Sequence, residues 1–163
     1  MKHRIFAICV LVAGFAATTR AQVQALPPAQ APGTFTIKCN PDRVTYPFSA
    51  TQSIWTYVCT TDGTINGVAF NGLTFSQTGI SSASETKSWG VIVGSLVNGS
   101  MVFFQFQAVA HKTSSSSNAA TVSYKIVGGT GIASGISGSG NCNETDALGK
   151  GSEMACVGAY ATR

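Results

Sequence analysis

Charge is what this chain has least of. Of its 163 residues only 10% are Asp, Glu, Lys or Arg, against 44% hydrophobic, and a chain that apolar and that sparsely charged folds instead of staying disordered. Histidine is nearly absent too. With only His3 and His111 present and no G-x-S-x-G, a Ser-His-acid hydrolase has little to work with, and His111 reads as a surface or strand-edge residue. Zinc is excluded on similar grounds, because no cysteine pair has the short C-x2-4-C spacing. Beyond Ala17 no apolar run is long enough to span a bilayer, so no stable membrane insertion is expected. A sustained apolar period of 3.6 residues is missing as well, which removes helical architectures. No G-K-[ST] occurs, and Gly129, Gly131 and Ser134 miss the third glycine of G-x-G-x-x-G, so no phosphate loop is expected.

What is present begins with a leader. Lys2 and Arg4 precede the apolar stretch Ile5 to Ala17, and the small residues Thr19 and Ala21 stand before Gln22. That pattern predicts a signal peptide over 1–21 and a secreted or periplasmic product. Removing Lys2, Arg4 and Arg20 with the leader leaves seven Lys and Arg against six Asp and Glu. The remainder is nearly neutral, with its cations scattered from Lys38 to Arg163, so nucleic acid is not an expected partner.

Cys9 falls in the leader, leaving Cys39, Cys59, Cys142 and Cys156 in an oxidising compartment. Two disulfides are expected. Three pairings are open; joining sequence neighbours gives Cys39 with Cys59 and Cys142 with Cys156, each closing a loop of roughly 15 to 20 residues and contributing about 3 kcal/mol.

Residues 22–33 (QVQALPPAQAPG) lack a hydrophobic period and read as a flexible Pro/Ala/Gln-rich linker, with one domain over 34–163. Within it Phe35, Ile37 and Cys39 alternate with Thr34, Thr36 and Lys38, a first strand. Further β-forming stretches are Gln52 to Thr61, Val68 to Ser76, Lys87 to Val97, Ser100 to His111, Thr121 to Val127 and a closing Ser152 to Thr162. Asp62-Gly63, Asn66-Gly67, Asn71-Gly72 and Asn98-Gly99 supply turn signals. The domain is expected to be all-β. A two-residue loop at Asn98-Gly99 pairs Val97 with Ser100 and therefore Val93 with Phe104 and Val91 with Phe106, placing those four side chains in the interior. Lys112 to Asn118 is a serine-rich hairpin tip.

Glycine then dominates: Gly128, Gly129, Gly131, Gly135, Gly138 and Gly140 follow the strand containing Tyr124. Such density lets a sheet bend or let strands approach closely, so these are structural glycines. The stretch SYKIVGGTGIASGISGSG, Ser123 to Gly140, resembles the strand, GGTG turn and glycine-spaced strand of the allene oxide cyclase and dirigent-like proteins, including their secreted bacterial relatives. The resemblance implies a calycin-like, eight-stranded antiparallel β-barrel with an apolar cavity, often assembled into homo-oligomers. It transfers no catalytic residue.

Small barrels either fill their interior or hold one small molecule. Trp55, Tyr57, Trp89, Phe104, Phe106 and Tyr124 are therefore the candidate lining of a ligand site. A carboxylate pair for glycoside hydrolysis could in principle come from Glu85 and Asp62. The expected function is binding of a small apolar molecule, or a structural or interaction role, without cofactor or metal. The alternative is a cofactor-independent isomerase or cyclase acting on a lipid or phenolic intermediate, for which a buried carboxylate in the cavity is the distinguishing feature.

Overall fold

Alternation of large apolar with polar residues drives this chain into strands, and the ring they form follows from which strand edges meet. The computed structural model describes residues 33–40, 42–147 and 150–162; the expected signal peptide and most of the expected linker lie outside them. The strands are β1 (Gly33–Cys39), β2 (Val44–Pro47), β3 (Gln52–Thr61), β4 (Thr64–Ile65), β5 (Val68–Ser81), β6 (Glu85–Leu96), β7 (Met101–Lys112), β8 (Ser117–Gly129), β9 (Ser137–Ala147) and β10 (Gly151–Ala161), with one 3-10 turn at Gly131–Ala133. Around the ring the order is β3-β1-β10-β9-β8-β7-β6-β5, all antiparallel, and β3 closes it by pairing with both β1 and β5. The result is a closed eight-stranded barrel, with β2 and β4 as short additions on β3 and β5.

Closure forces alternate residues of every strand into one lumen. On β1 these are Phe35, Ile37 and Cys39; on β8 they are Val122, Tyr124 and Ile126, the faces expected from the alternation. Both disulfides also face inward. Cys39 bonds Cys59 across the β1–β3 pair, and Cys142 bonds Cys156 across β9–β10, each joining residues that already sit opposite one another. All four cysteines are buried.

The hairpin between β6 and β7 departs from the expected register by one residue. Val93 faces Phe103 instead of Phe104, and Val91 faces Gln105 instead of Phe106. The turn explains the slip. Gly99 N–H donates to the Leu96 carbonyl at 2.9 Å and Leu96 N–H to the Ser100 carbonyl at 2.8 Å, so the loop holds three residues, with only Gly99 at positive φ. A type I turn followed by a left-handed glycine is the standard three-residue solution. One residue of slip inverts the face of β6, so Ile92 and Leu96 are buried while Trp89 and Val91 are exposed on the outside. Large-against-small complementarity survives in the true register, where Gly90 faces Phe106 and Gly94 faces Val102.

Other sequence signals shift in meaning. Asn71-Gly72 makes no turn; Asn71 is the extra residue of a bulge within β5, between the pairs Phe70↔Leu96 and Gly72↔Ser95. Gly33, assigned to the linker, opens β1, and Ser117 and Asn118, assigned to the hairpin tip, open β8. The glycine run separates into three parts, of which Gly128 and Gly129 end β8. Gly131 turns at φ 58 beneath the β6–β7 loop, where Ile132 N–H donates to Ser100 Oγ at 3.2 Å, while Gly138 and Gly140 belong to β9.

Gly140 serves Tyr124. Tyr124, Gly140 and Gly158 form one row across β8, β9 and β10, and a Cβ on either glycine would run into the Tyr124 ring or hydroxyl. The ring lies where two side chains are missing, an aromatic covering glycines on adjacent strands. A methyl in that space is overpacking, and Gly158→Ala is expected to cost about 1 to 3 kcal/mol in urea denaturation. The nearest clash there is the Tyr124 hydroxyl, so adding Tyr124→Phe should recover part of that loss. It should recover less in Gly140→Ala, whose methyl also meets the rigid Val157 carbonyl. Equal recovery in both backgrounds contradicts this packing.

Candidate functional site

The lumen is not continuous. Phe75 and Phe106 reach inward from β5 and β7 with ring centroids 5.6 Å apart, and Tyr57 stacks on Phe75 at 5.0 Å. Met154, Val122 and the two disulfides complete a buried layer across the middle. Phe75 and Met154 are each 1% exposed, so this layer has the density of an ordinary core and divides the interior into two chambers. No described residue lines both.

The first chamber, of about 470 Å³, is apolar. Its walls are Phe35, Ile37, Phe70, Leu73, Ile92, Phe104, Tyr124 and Ile126. The rings form a connected set: Phe104 lies 5.9 Å from Tyr124 and 6.4 Å from Phe70, and Tyr124 lies 6.2 Å from Phe35. Burial pushes the Tyr124 phenol up to about 12, so it stays neutral. The β4 hairpin folds over the rim. Asn66 and Gly67 both have positive φ, and Ile65 drops into a buried cluster with Leu96, Val102 and Ile126. The hairpin is fastened by the Asn66 N–H, which donates to the Tyr160 hydroxyl at 2.7 Å, and at its base by the Thr36 N–H, which donates to Asp62 at 2.6 Å.

The second chamber, of about 440 Å³ at the opposite end, is polar and aromatic. Trp55 and Tyr57 of β3, Gln77 of β5, Ser88 of β6, Asn118 of β8 and the carboxylates Glu144 and Asp146 of β9 line it above the floor of Phe75 and Phe106. Gly79 gives Trp55 its place, since a Cβ there would collide with the indole. At the mouth Arg43, in the crossover from β1 to β2, reaches Asp146 at 3.7 Å. Among the described residues no cation is paired with Glu144. Its carboxyl is held above the ordinary range, first by burial and then by the negative charge of Asp146, with the Ser152 hydroxyl and Arg43 pulling the other way. The Tyr57 phenol is raised still more strongly, by burial and then by Glu144. Two carboxyls thus face this chamber, one within reach of Arg43 and the other held above its ordinary range by burial.

The expected ligand residues are thus distributed. Phe104 and Tyr124 line the apolar chamber, and Trp55, Tyr57 and Phe106 line the polar one. Trp89 lines neither; the register slip leaves it 44% exposed on the outer surface. Glu85 and Asp62, the carboxylate pair considered for glycoside hydrolysis, sit at opposite ends of the barrel. His111 is exposed, with Nδ1 3.8 Å from Glu85.

Glu144 and Asp146 escape notice in the sequence because glycines and asparagines make Ser137–Ala147 look like turns. A signal exists nonetheless. Cys142, Glu144 and Asp146 alternate with Asn141, Asn143 and Thr145, so once Cys142 is fixed inward by its disulfide, period-two geometry carries both acids inward with it.

Comparison with known proteins finds no matching family model, and neither a curated protein nor a solved structure matches the chain. Among the described residues no three His, Cys, Asp or Glu are grouped to hold a metal ion, and no helix is long and apolar enough to cross a membrane. Two disulfides fit an oxidising compartment.

The raised Glu144 has a consequence for stability. A carboxyl whose folded value exceeds its unfolded one contributes stability that is complete below the ordinary carboxylate range and is lost as pH rises through the raised value. Glu144→Gln removes that loss. In urea melts between about pH 4 and pH 8, the variant is expected to gain on the wild type as pH increases. A difference independent of pH contradicts a raised Glu144.

Proposed function

We propose that this protein is a secreted or periplasmic member of the allene oxide cyclase and dirigent-like barrels, and that it binds a small apolar molecule in the chamber walled by Phe35, Phe70, Phe104 and Tyr124. The leader over 1–21, the GGTG stretch and the two inward disulfides support the placement. The observation that carries the binding reading is the apolar chamber itself: about 470 Å³ under a hairpin lid, a volume within the range of small-molecule sites. Its aromatic walls offer dispersion and ring-edge contacts to a hydrocarbon or aromatic ligand, and no ionised group is needed to hold one.

The isomerase or cyclase alternative requires a carboxyl against the reacting part of a lipid or phenolic substrate. Glu144 is a half-buried acid with a raised carboxyl, but it stands across the septum from the apolar chamber. Binding is therefore the better account of the apolar end.

Purified from its own host and examined by native mass spectrometry, the protein is expected to carry a small apolar adduct. Stripped of it, it should take up N-phenylnaphthylamine with a micromolar Kd, about −8 kcal/mol. Ile92→Trp and, from another wall, Phe35→Trp fill the chamber and should weaken uptake at least about tenfold, whereas Trp89→Ala on the outer surface should leave it unchanged. No uptake by the wild type, or full uptake by both filled variants, would falsify the proposal.

A further inference from the structure

The polar chamber is a second site, chemically unlike the first, and its own residues specify an occupant. The charged groups that face it are Glu85, Glu144 and Asp146 against Arg43 and Lys112. Two of the three acids already have partners: Asp146 has Arg43 at 3.7 Å, and Glu85 has Lys87 at 3.2 Å. Glu144 has no cation partner among the described residues, and it lies within electrostatic reach of the Tyr57 ring. Trp55 and Tyr57 supply aromatic wall on β3, and Phe75 and Phe106 supply aromatic floor.

A second observation is independent of the acids. Ser88 on β6 is only 9% exposed and lines this chamber, which gives its wall a hydroxyl. Gln77, on the adjacent strand β5, lines the same chamber with an amide. Hydroxyl, amide carbonyl and carboxylate share one capability: each accepts a hydrogen bond.

We propose that the polar chamber binds a small organic ammonium compound, its charged nitrogen held by Glu144 with Ser88 and Gln77 accepting its N–H groups, and its carbon skeleton packed on Trp55 and Tyr57. A cation supplies the partner that Glu144 lacks among the described residues. Aromatic faces attract it through the ring quadrupole, most strongly where water is excluded, and the apolar floor takes the skeleton. A neutral ligand of equal size gains the packing but not the charge, and an anion meets Glu144 and Asp146 together. This site does not depend on the apolar chamber being occupied, because the septum separates the two.

The test compares cyclohexylammonium with cyclohexanol, which match in shape and differ in charge, by calorimetric titration of the full folded protein. The ammonium is expected to bind at least about tenfold more tightly than the alcohol. Glu144→Gln should bring the two within about threefold, Ser88→Ala should weaken the ammonium preferentially, and Trp55→Leu should weaken both. Glu153→Gln, an exposed acid on the outer surface of β10, should change neither. The chamber-filling Ile92→Trp should also leave ammonium binding intact, which separates this outcome from that of the apolar site. Equal binding of ammonium and alcohol, a preference that survives Glu144→Gln, or no ammonium binding at about 10 mM overturns the proposal.

Discussion

Ring closure by β3 is the constraint on which the rest of this structure depends. An open sheet can turn one face to water, but a closed ring of eight strands has an interior just wide enough for side chains to fill. Space for a ligand must then come from the residues that face in. Here it comes from small ones set against large ones: Gly140 and Gly158 against Tyr124, Gly79 against Trp55, Gly90 opposite Phe106, and Ala108 and Ala120 lining the polar end. The glycine content is therefore part of the internal architecture as well as a means of turning the chain. Where bulk is not relieved, at Phe75 and Met154, the lumen closes into the septum.

Much of this was legible because a strand's period of two is simple to read. Gln52–Thr61 is bounded as the β-forming run predicts, and the inward face of β1 follows from Phe35, Ile37 and Cys39 alone. The sequence left three disulfide pairings open, and the structure has the one that joins sequence neighbours, because antiparallel pairing sets Cys39 opposite Cys59 and Cys142 opposite Cys156. The failures have one origin, which is that a turn dipeptide does not state its own loop length. Asn98-Gly99 is compatible with two residues or three, and the choice inverted β6, moving Trp89 from the interior to the surface. Asn71-Gly72 is compatible with a turn or a bulge, and pairing along the whole length of β5 selects the bulge. Local composition does not decide either case; in the first, the turn's own hydrogen bonds set three residues and the Val97 N–H is taken up by the Ala69 carbonyl of β5 at 3.0 Å.

The same limit hid the polar chamber. Glu144 and Asp146 have low β-propensity and sit among asparagines and glycines, so a local reading assigns them to solvent. Their placement inside is a consequence of tertiary pairing: β9 is clamped between β8 and β10 and tied to β10 by Cys142 with Cys156. With that register fixed, no freedom remains about which side chains enter the lumen.

Glu144 also contributes little that the fold itself needs. A carboxyl held above its ordinary range by burial opposes folding at neutral pH by the cost of its ionisation. An apolar residue of similar size on the same floor of Phe75 and Phe106 would pack without that cost, as replacements of buried ionic groups elsewhere have shown in general. The septum has the opposite character, since its rings, Met154 and disulfides are all buried apolar matter that stabilises the barrel directly. One layer of side chains thus separates a region explained by packing from one that packing does not explain. Groups maintained against the interest of stability gather where a protein meets its ligand, and in this barrel that asymmetry directs attention to the end where Glu144, Ser88 and Trp55 converge.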